Sequence, residues 1–286
     1  MNLVNPYRFA TASGSGVLDS YSSNLLVAHS VSRRLLTSYT GALFTVRRSS
    51  DNATQDIGYG VDNWADTAAL ASFIGSNSGY VDTLYDQSGN GSHMSQSTTS
   101  RQFRVVNAGT NDTLGGKLTL FHSGADRTMM MATTSTFTSY TGTTMSVFAR
   151  GLNGKTSNNY YRFVSVVNNT SLDYNTTSSC AIITSTSDGT GWQSYRASSL
   201  ANRINTPATS DGLISAIADG ANLKLRDGTN TGSAASSAAF SINRVLLAGY
   251  ANNNPYSLQD SKFSEVILWT SDQTSNEADI RSALIY

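Results

Sequence analysis

Acid–base chemistry in this chain would have to rest on aspartate. Nineteen acidic residues are present, and only Glu265 and Glu277 are glutamate, so the stretch from Gly91 to Ser264 contains none. Asp173, Asp188 and Asp211 fall in Ser-, Thr- and Gly-rich stretches that read as loops. There an aspartate serves either as a catalytic carboxylate or as a turn acceptor. His29, His93 and His122 are scattered without metal-ligand spacing, so no zinc site is expected. Cys180 is alone, within the apolar run Cys180-Ala181-Ile182-Ile183, and reads as a small buried hydrophobe. No glycine-rich loop leads from a strand into a helix in phosphate-cradling form, so neither a nucleotide nor another cofactor is expected.

The turn Asp86-Gln87-Ser88-Gly89-Asn90-Gly91 admits two readings. Its carboxylate and amide oxygens could hold calcium. Alternatively, Gly89 and Gly91 take positive φ while Asp86 and Ser88 bond nearby amides. Two other segments join aromatic faces to amide groups, the chemistry of sugar recognition. They are Asp188-Gly189-Thr190-Gly191-Trp192-Gln193-Ser194-Tyr195-Arg196 and Tyr250-Ala251-Asn252-Asn253-Asn254-Pro255-Tyr256. Trp192, Tyr195, Tyr250, Asn252 and Tyr256 are the sugar-contact candidates, with ordinary sandwich loops as the alternative.

Strands must position these groups. Charged residues are only 13% of the chain against roughly 25% in ordinary soluble domains. Ser, Thr, Asn and Gly replace them, and the bias of Asp over Glu favours turns over helices. Apolar and polar residues alternate through 118–121, 145–149, 161–167, 213–218, 223–225, 245–247 and 263–269, with Gly, Asn and Asp clusters between, as in a sandwich or jelly roll. Asp219-Gly220 and Asp227-Gly228 flank a short hairpin run. Trp269 belongs to the core on the last strand. Val27, Val31 and Leu35 recur every four residues and predict a helix over 25–37. A second helix is predicted over 66–74, capped by Asp66 and ended by Gly75, with Trp64 stapling it to the domain. A short helix or turn is expected over 276–285. Residues 1–23, with Pro6 and the run Ala12-Ser13-Gly14-Ser15-Gly16, read as a leader or docking segment ahead of one domain, 24–286.

Two patches then carry a family resemblance. One is Ser32-Arg33-Arg34-Leu35-Leu36-Thr37-Ser38-Tyr39-Thr40-Gly41-Ala42-Leu43, continuing through Val46-Arg47-Arg48-Ser49-Ser50-Asp51 to Asp56-Ile57. The other is Leu84-Tyr85-Asp86-Gln87-Ser88-Gly89-Asn90-Gly91-Ser92-His93. Both resemble the catalytic domain of the α-L-arabinofuranosidase B family, and the strand 263–269 with Glu265 resembles it more weakly. The resemblance implies a concanavalin A-like jelly roll. The chain is accordingly expected to be all-β, a concanavalin A-like jelly-roll sandwich with one or two short helices near the N-terminus. The terminal part also resembles laminin-G-like modules, through Asp227-Gly228, Glu265 and Asn276-Glu277-Ala278-Asp279. Modules of both kinds opened by a leader like Asn5-Pro6-Tyr7 resemble bacteriophage virion domains.

The resemblance also implies a mid-chain glutamate nucleophile, an acid/base aspartate near the C-terminus and a pair of adjacent cysteines. This sequence has no mid-chain Glu, has Asn252 after Leu247-Ala248-Gly249-Tyr250-Ala251 where the aspartate would stand, and has one cysteine. A retaining glycosidase needs two carboxyl groups, so these departures predict no catalytic residue. The expected function is therefore a non-catalytic virion structural protein, a capsid decoration or tail/fibre component. It would be made in the host cytoplasm without a signal peptide, dock on other virion proteins through 1–23, assemble as a homo-oligomer or in a particle, and bind host surface glycans. A divergent arabinofuranoside-active hydrolase and a purely architectural virion protein are the alternatives. Zero net charge argues against nucleic acid, and no apolar run reaches membrane-span length.

Overall fold

A computed structural model describes residues 14–122, 131–133, 140–152, 162–168, 179–185, 192–196, 199–204, 212–248 and 261–286. The terminal strand, Lys262–Trp269, is the spine of the first sheet. Along one edge it pairs antiparallel with Leu25–Ser30 and Leu120–Phe121, and along the other with Thr144–Leu152. From there the sheet runs outward through Leu213–Asp219, Asn222–Asp227 and Asn230–Ala235. The turn between the first two of these forms as the Asp-Gly pair predicts. The Asp219 Oδ1 accepts from the amides of Ala221 and Asn222, and Gly220 takes φ +100°.

The second sheet begins with Thr54–Ile57, Phe44–Arg48, Gly79–Leu84 and Met94–Ser95. It continues through Met131–Thr133, Arg244–Leu247, Arg162–Val167, Ser179–Ser185, Trp192–Arg196 and Ser199–Ile204. The strand Phe103–Asn107 bridges the two sheets, pairing with Gly79–Leu84 on one side and with Leu120–Phe121 on the other. The molecule is thus a β-sandwich of the jelly-roll kind, as its alternating segments predict.

Between the sheets lies one large apolar core. Phe163 of the second sheet stacks on Phe263 of the first at 4.4 Å between centroids. The first sheet is also buried on its other face. Leu25, Ala28, Phe148, Ile217, Ile267 and Trp269 meet a layer made by Leu18, Leu35, Leu36 and the helix Glu277–Leu284, which contributes Ile280 and Leu284. Trp269 is fully buried, and its indole N–H donates to the Tyr21 carbonyl at 2.6 Å.

This second layer explains two departures from the sequence reading. The predicted helix over 25–37 is the strand Leu25–Ser30 followed by irregular chain. Both faces of that strand are covered, so its apolar residues do not alternate, and a four-residue recurrence arises without a helix. The boundary expected at residue 23 falls inside the packed body. Leu18 is buried, Asp19 accepts from Gly16 N, Thr37 N and the Thr37 hydroxyl, and residues 14–23 close the outer layer. Residues 1–13 lie outside the described residues.

The helix Thr67–Ile74 forms as predicted. Asp66 caps it by accepting from Ala69 N at 2.9 Å, and Gly75 ends it at φ +59°. Trp64 does not staple it. Its ring instead meets Tyr286 edge-on at 4.8 Å, with the Arg33 guanidinium 5.1 Å from its centroid. The helix Glu277–Leu284 lies within the segment expected to be helical near the end.

Candidate active site

A glycosidase needs free carboxylates, so the fate of each acid decides where a site can be. Glu265, on the spine strand, is buried against Arg33, whose Nε donates to its Oε1 at 2.7 Å. The Ser32 hydroxyl donates to the same oxygen at 3.3 Å, and Tyr286 closes the group off. Burial pushes the Tyr286 phenol up to about 12, with the Glu265 charge adding to the effect. Glu265 is therefore a structural ion pair. Glu277 accepts from the Ser215 hydroxyl at the start of the last helix.

Most of the described aspartates are engaged in the same way. Asp112 takes a two-pronged contact from Arg104 at 2.8 and 3.0 Å. Asp56 accepts from Thr45 and Tyr85, and Asp82 from Gln102. Asp272 turns the chain at Thr274. Burial alone would raise Asp219, but hydrogen bonds from Lys224 and the Asn222 and Ala221 amides hold it below the usual carboxylate range. Asp51, exposed beside Arg48, is pulled down to about 2 by that guanidinium.

The conspicuous Asp86 turn resolves as a staple. Asp86 Oδ1 accepts from Ala28 N at 2.9 Å and Ser88 N at 3.0 Å. Its Oδ2 accepts from the Ser88 hydroxyl at 2.7 Å and Ser92 N at 3.1 Å. Gln87 accepts from Leu35 N and donates to the Arg33 carbonyl, while Asn90 donates to the carbonyls of Leu25 and Leu26. Gly89 and Gly91 take φ of +91° and +71°. Four donors saturate the carboxylate, so the motif ties the second sheet's turn onto the first strand.

Asp279 is exposed on the last helix, and five further acids, Asp126, Asp173, Asp188, Asp211 and Asp260, lie outside the described residues. The strands that flank them are described, and their registers say where the chain leaves each sheet. Leu247 pairs with Val164 and Met131, while Arg162 pairs with Thr184, and Trp192 with both Ser185 and Ile204. These residues mark one end of the second sheet. In the first sheet Lys262 pairs with Leu152 and Phe121, and Leu213 with Arg150. Four crossovers between the sheets start and finish at this end: 123–130, 153–161, 205–211 and 249–260. The hairpin segment 186–191 opens from it too. Asp126, Asp188, Asp211 and Asp260 belong to these segments. Asp173 belongs to 169–178, which leaves from the opposite end, where Val167 pairs with Ser179.

Glycine draws the first-sheet strands together here. A β-carbon on Gly151 would stand 2.0 Å from the Lys262 carbonyl oxygen, and Gly212, at φ +62°, accepts from Gly151 N at 2.7 Å. Only glycine permits this crossing.

Of the sugar-contact candidates, Tyr250, Asn252 and Tyr256 lie outside the described residues, within 249–260. Trp192 and Tyr195 were expected on a loop, and this is corrected: both belong to the strand Trp192–Arg196 and are buried. The Trp192 ring packs edge-on against Phe163 at 5.2 Å, so it walls the core and presents no open face to solvent. The sequence reading singled out Asp188 and Asp211 and passed over Asp126 and Asp260, whose only signal is that each shortly precedes a strand.

Comparison with known proteins bears on this arrangement. Residues 18–121 match the family described as alpha-L-arabinofuranosidase B, catalytic. A probable alpha-L-arabinofuranosidase B of Aspergillus flavus is 40% identical over 91 residues, covering 30% of this chain and 18% of the relative. The alpha-L-arabinofuranosidase of Hypocrea jecorina is 39% identical over 85 residues, 29% of this chain and 17% of its own length. The chain thus aligns with less than a fifth of these relatives. In three dimensions the likeness is broader. A GH54 α-L-arabinofuranosidase soaked with a cyclic sulfate inhibitor superposes over 95% of this chain and 66% of its own, with a TM-score of 0.70 at 18% identity. An arabinofuranosidase complexed with arabinofuranosyl-α-1,2-xylobiose gives 0.66 at 20% identity, over 94% of this chain and 65% of its own.

These matches overturn the non-catalytic virion reading, with its capsid, tail-fibre and virion-localisation expectations, because they point to fungal glycoside hydrolases and none to a virion component. The chain is similar over residues 18–121 to the α-L-arabinofuranosidase B catalytic family and has that fold over nearly its whole length.

Proposed function

We propose that this chain is a glycoside hydrolase domain acting on α-L-arabinofuranosides, with its carboxyl pair drawn from Asp126, Asp188, Asp211 and Asp260. One observation carries the reading. The strand ends that bear these four segments gather at a single end of the sandwich, and most described acids elsewhere are committed to caps, turns and ion pairs. The family match of residues 18–121 supports the substrate class.

In such a site one carboxylic acid protonates the departing glycosidic oxygen. The other attacks the anomeric carbon when the two stand ~5–5.5 Å apart, or activates a water when they stand ~6.5–9.5 Å apart. Asn252 cannot transfer a proton, so its amide serves a sugar hydroxyl, beside Tyr250 and Tyr256 as stacking faces. The acids would thus be supplied from other positions in the segments that leave this end of the sandwich.

The test is release of nitrophenolate from 4-nitrophenyl α-L-arabinofuranoside by the purified chain, beside single Asp→Asn variants at 126, 188, 211 and 260. Turnover lost in two of the four variants, with unchanged thermal unfolding, supports the reading. Absence of turnover, or turnover indifferent to all four, refutes it.

A further inference from the structure

Beside Lys262, whose ammonium donates to the Thr113 carbonyl at 2.8 Å, the chain forms a cleft of about 190 Å³ between residues 62–67 and the hairpin 111–118. It is smaller than the roughly 300–1,000 Å³ of drug-sized sites, so it suits a single ring. One wall is Trp64, half-buried, with the Lys117 ammonium 3.9 Å from its ring centroid. Asp62, Asn111 and Thr113 line the rim, and Ser32 lies at the base.

The charges in this region are unequally committed. Arg33 is spent on Glu265 and the Ala283 carbonyl. Arg150 is spent on the carbonyls of Leu284 and Tyr286. Asp62 accepts from Trp64 N at 3.2 Å, which fixes the aromatic wall. Lys117 makes no ion pair among the described residues, and its ammonium lies over the indole, so a ligand carboxylate would draw it aside and open that face to the sugar ring. An indole wall suits the C–H face of a pyranose, amide and hydroxyl rims suit its hydroxyls, and an ammonium without a carboxylate partner suits one negative charge.

We infer that this cleft binds one uronic acid residue, its ring against Trp64 and its carboxylate on Lys117. The residues that line it are other than the four aspartates proposed for hydrolysis, and the site would hold an acidic glycan beside the reacting one.

The fold supplies the reporter. The chain has three tryptophans, and Trp192 and Trp269 are buried at 1% and 0% exposure, which leaves Trp64 as the one that reaches solvent. Intrinsic fluorescence of the full chain would be titrated with glucuronate and galacturonate. Glucose and galactose serve as neutral controls, and sodium acetate as the bare anion. The expected result is a saturable change with at least one uronate, weakened by salt, and about tenfold weaker or more in Lys117→Ala, the loss of one charge-assisted contact. A Lys117→Arg variant should retain it. Three results overturn the inference: no uronate response, an equal response to the neutral parent sugar or to acetate, or undiminished binding in Lys117→Ala with native unfolding. Hydrolysis of the nitrophenyl arabinofuranoside by Lys117→Ala is measured in parallel. Its persistence separates failure of this site from failure of the hydrolase reading.

Discussion

Replacing Glu265 by glutamine should cost stability and leave the chemistry alone. The carboxylate is fully buried and Arg33 nearly so, with side-chain exposures of 0% and 6% at a 2.7 Å contact. Removing one member of a buried pair typically costs about 3–5 kcal/mol, because the other charge is left uncompensated. Glutamine keeps the shape and can still accept from Ser30 and Ser32, so the low end applies, about 3 kcal/mol. For a chain of 286 residues the unfolding entropy is roughly 0.6 kcal/mol/K, which converts that loss to a fall in Tm of about 5 °C. Removing both charges, with Arg33→Met and Glu265→Leu together, should recover most of the loss, since a well-packed apolar pair avoids the desolvation penalty altogether. The assay is differential scanning calorimetry on the wild type, Glu265→Gln and the double variant, with arabinofuranoside turnover measured per folded molecule. A Tm change below about 1 °C in Glu265→Gln would refute the electrostatic argument. Turnover abolished at unchanged Tm would make Glu265 a catalytic acid and refute its assignment as structural.

Asp86→Ala should unfold the staple, since four donors lose their acceptor at once; a cost of at least about 3 kcal/mol is expected by urea titration. Addition of millimolar calcium should leave the wild-type Tm unmoved, because the carboxylate is already saturated by Ala28, Ser88 and Ser92. Phe163→Ala removes the ring stacked between the sheets and should cost about 3–5 kcal/mol by the same titration. His29 supplies a pH effect. Burial holds its pKa below the ordinary 6.5, against the pull of Asp86, so the unfolded chain takes up the proton first. Stability is therefore complete above pH 6.5 and declines as pH falls below it. Urea midpoints at pH 7.5 and 5.5 should differ by less in His29→Gln than in the wild type, and an unchanged difference would count against His29 as the source.

How much of this was legible beforehand differs between scaffold and site. The strands at 145–149, 213–218 and 263–269 were readable because apolar and polar residues alternate or nearly alternate along them between Gly, Asn and Asp clusters. The capped helix was readable because Asp66 and Gly75 mark its ends. The stretch 25–37 was misread because it packs on two sides, which erases the period that separates strand from helix. The Ser-Gly run before residue 17 resembles a linker in composition alone. Gly16 is there because a β-carbon would stand 2.5 Å from the Leu36 Cα. The site was less legible still. Asp173, Asp188 and Asp211 look alike along the chain, and only the pairing of distant strands separates the segment that carries Asp173 from those that carry the others and adds the segments of Asp126 and Asp260.

The spine strand also governs when this protein can fold. Among the described residues Leu25–Ser30 finds its ladder only on Lys262–Trp269, apart from the single bridge to Asp86. The segment that carries the family match, 18–121, therefore leaves its own first strand unpaired. A ribosome adding 5–20 residues per second needs roughly ten to fifty seconds to travel from that strand to its partner. During that interval the first strand has an open edge, and closing so long a loop makes the final step slow and cooperative. Expressed as a fragment ending at residue 121, the matched region should stay unfolded and aggregate, however well it aligns.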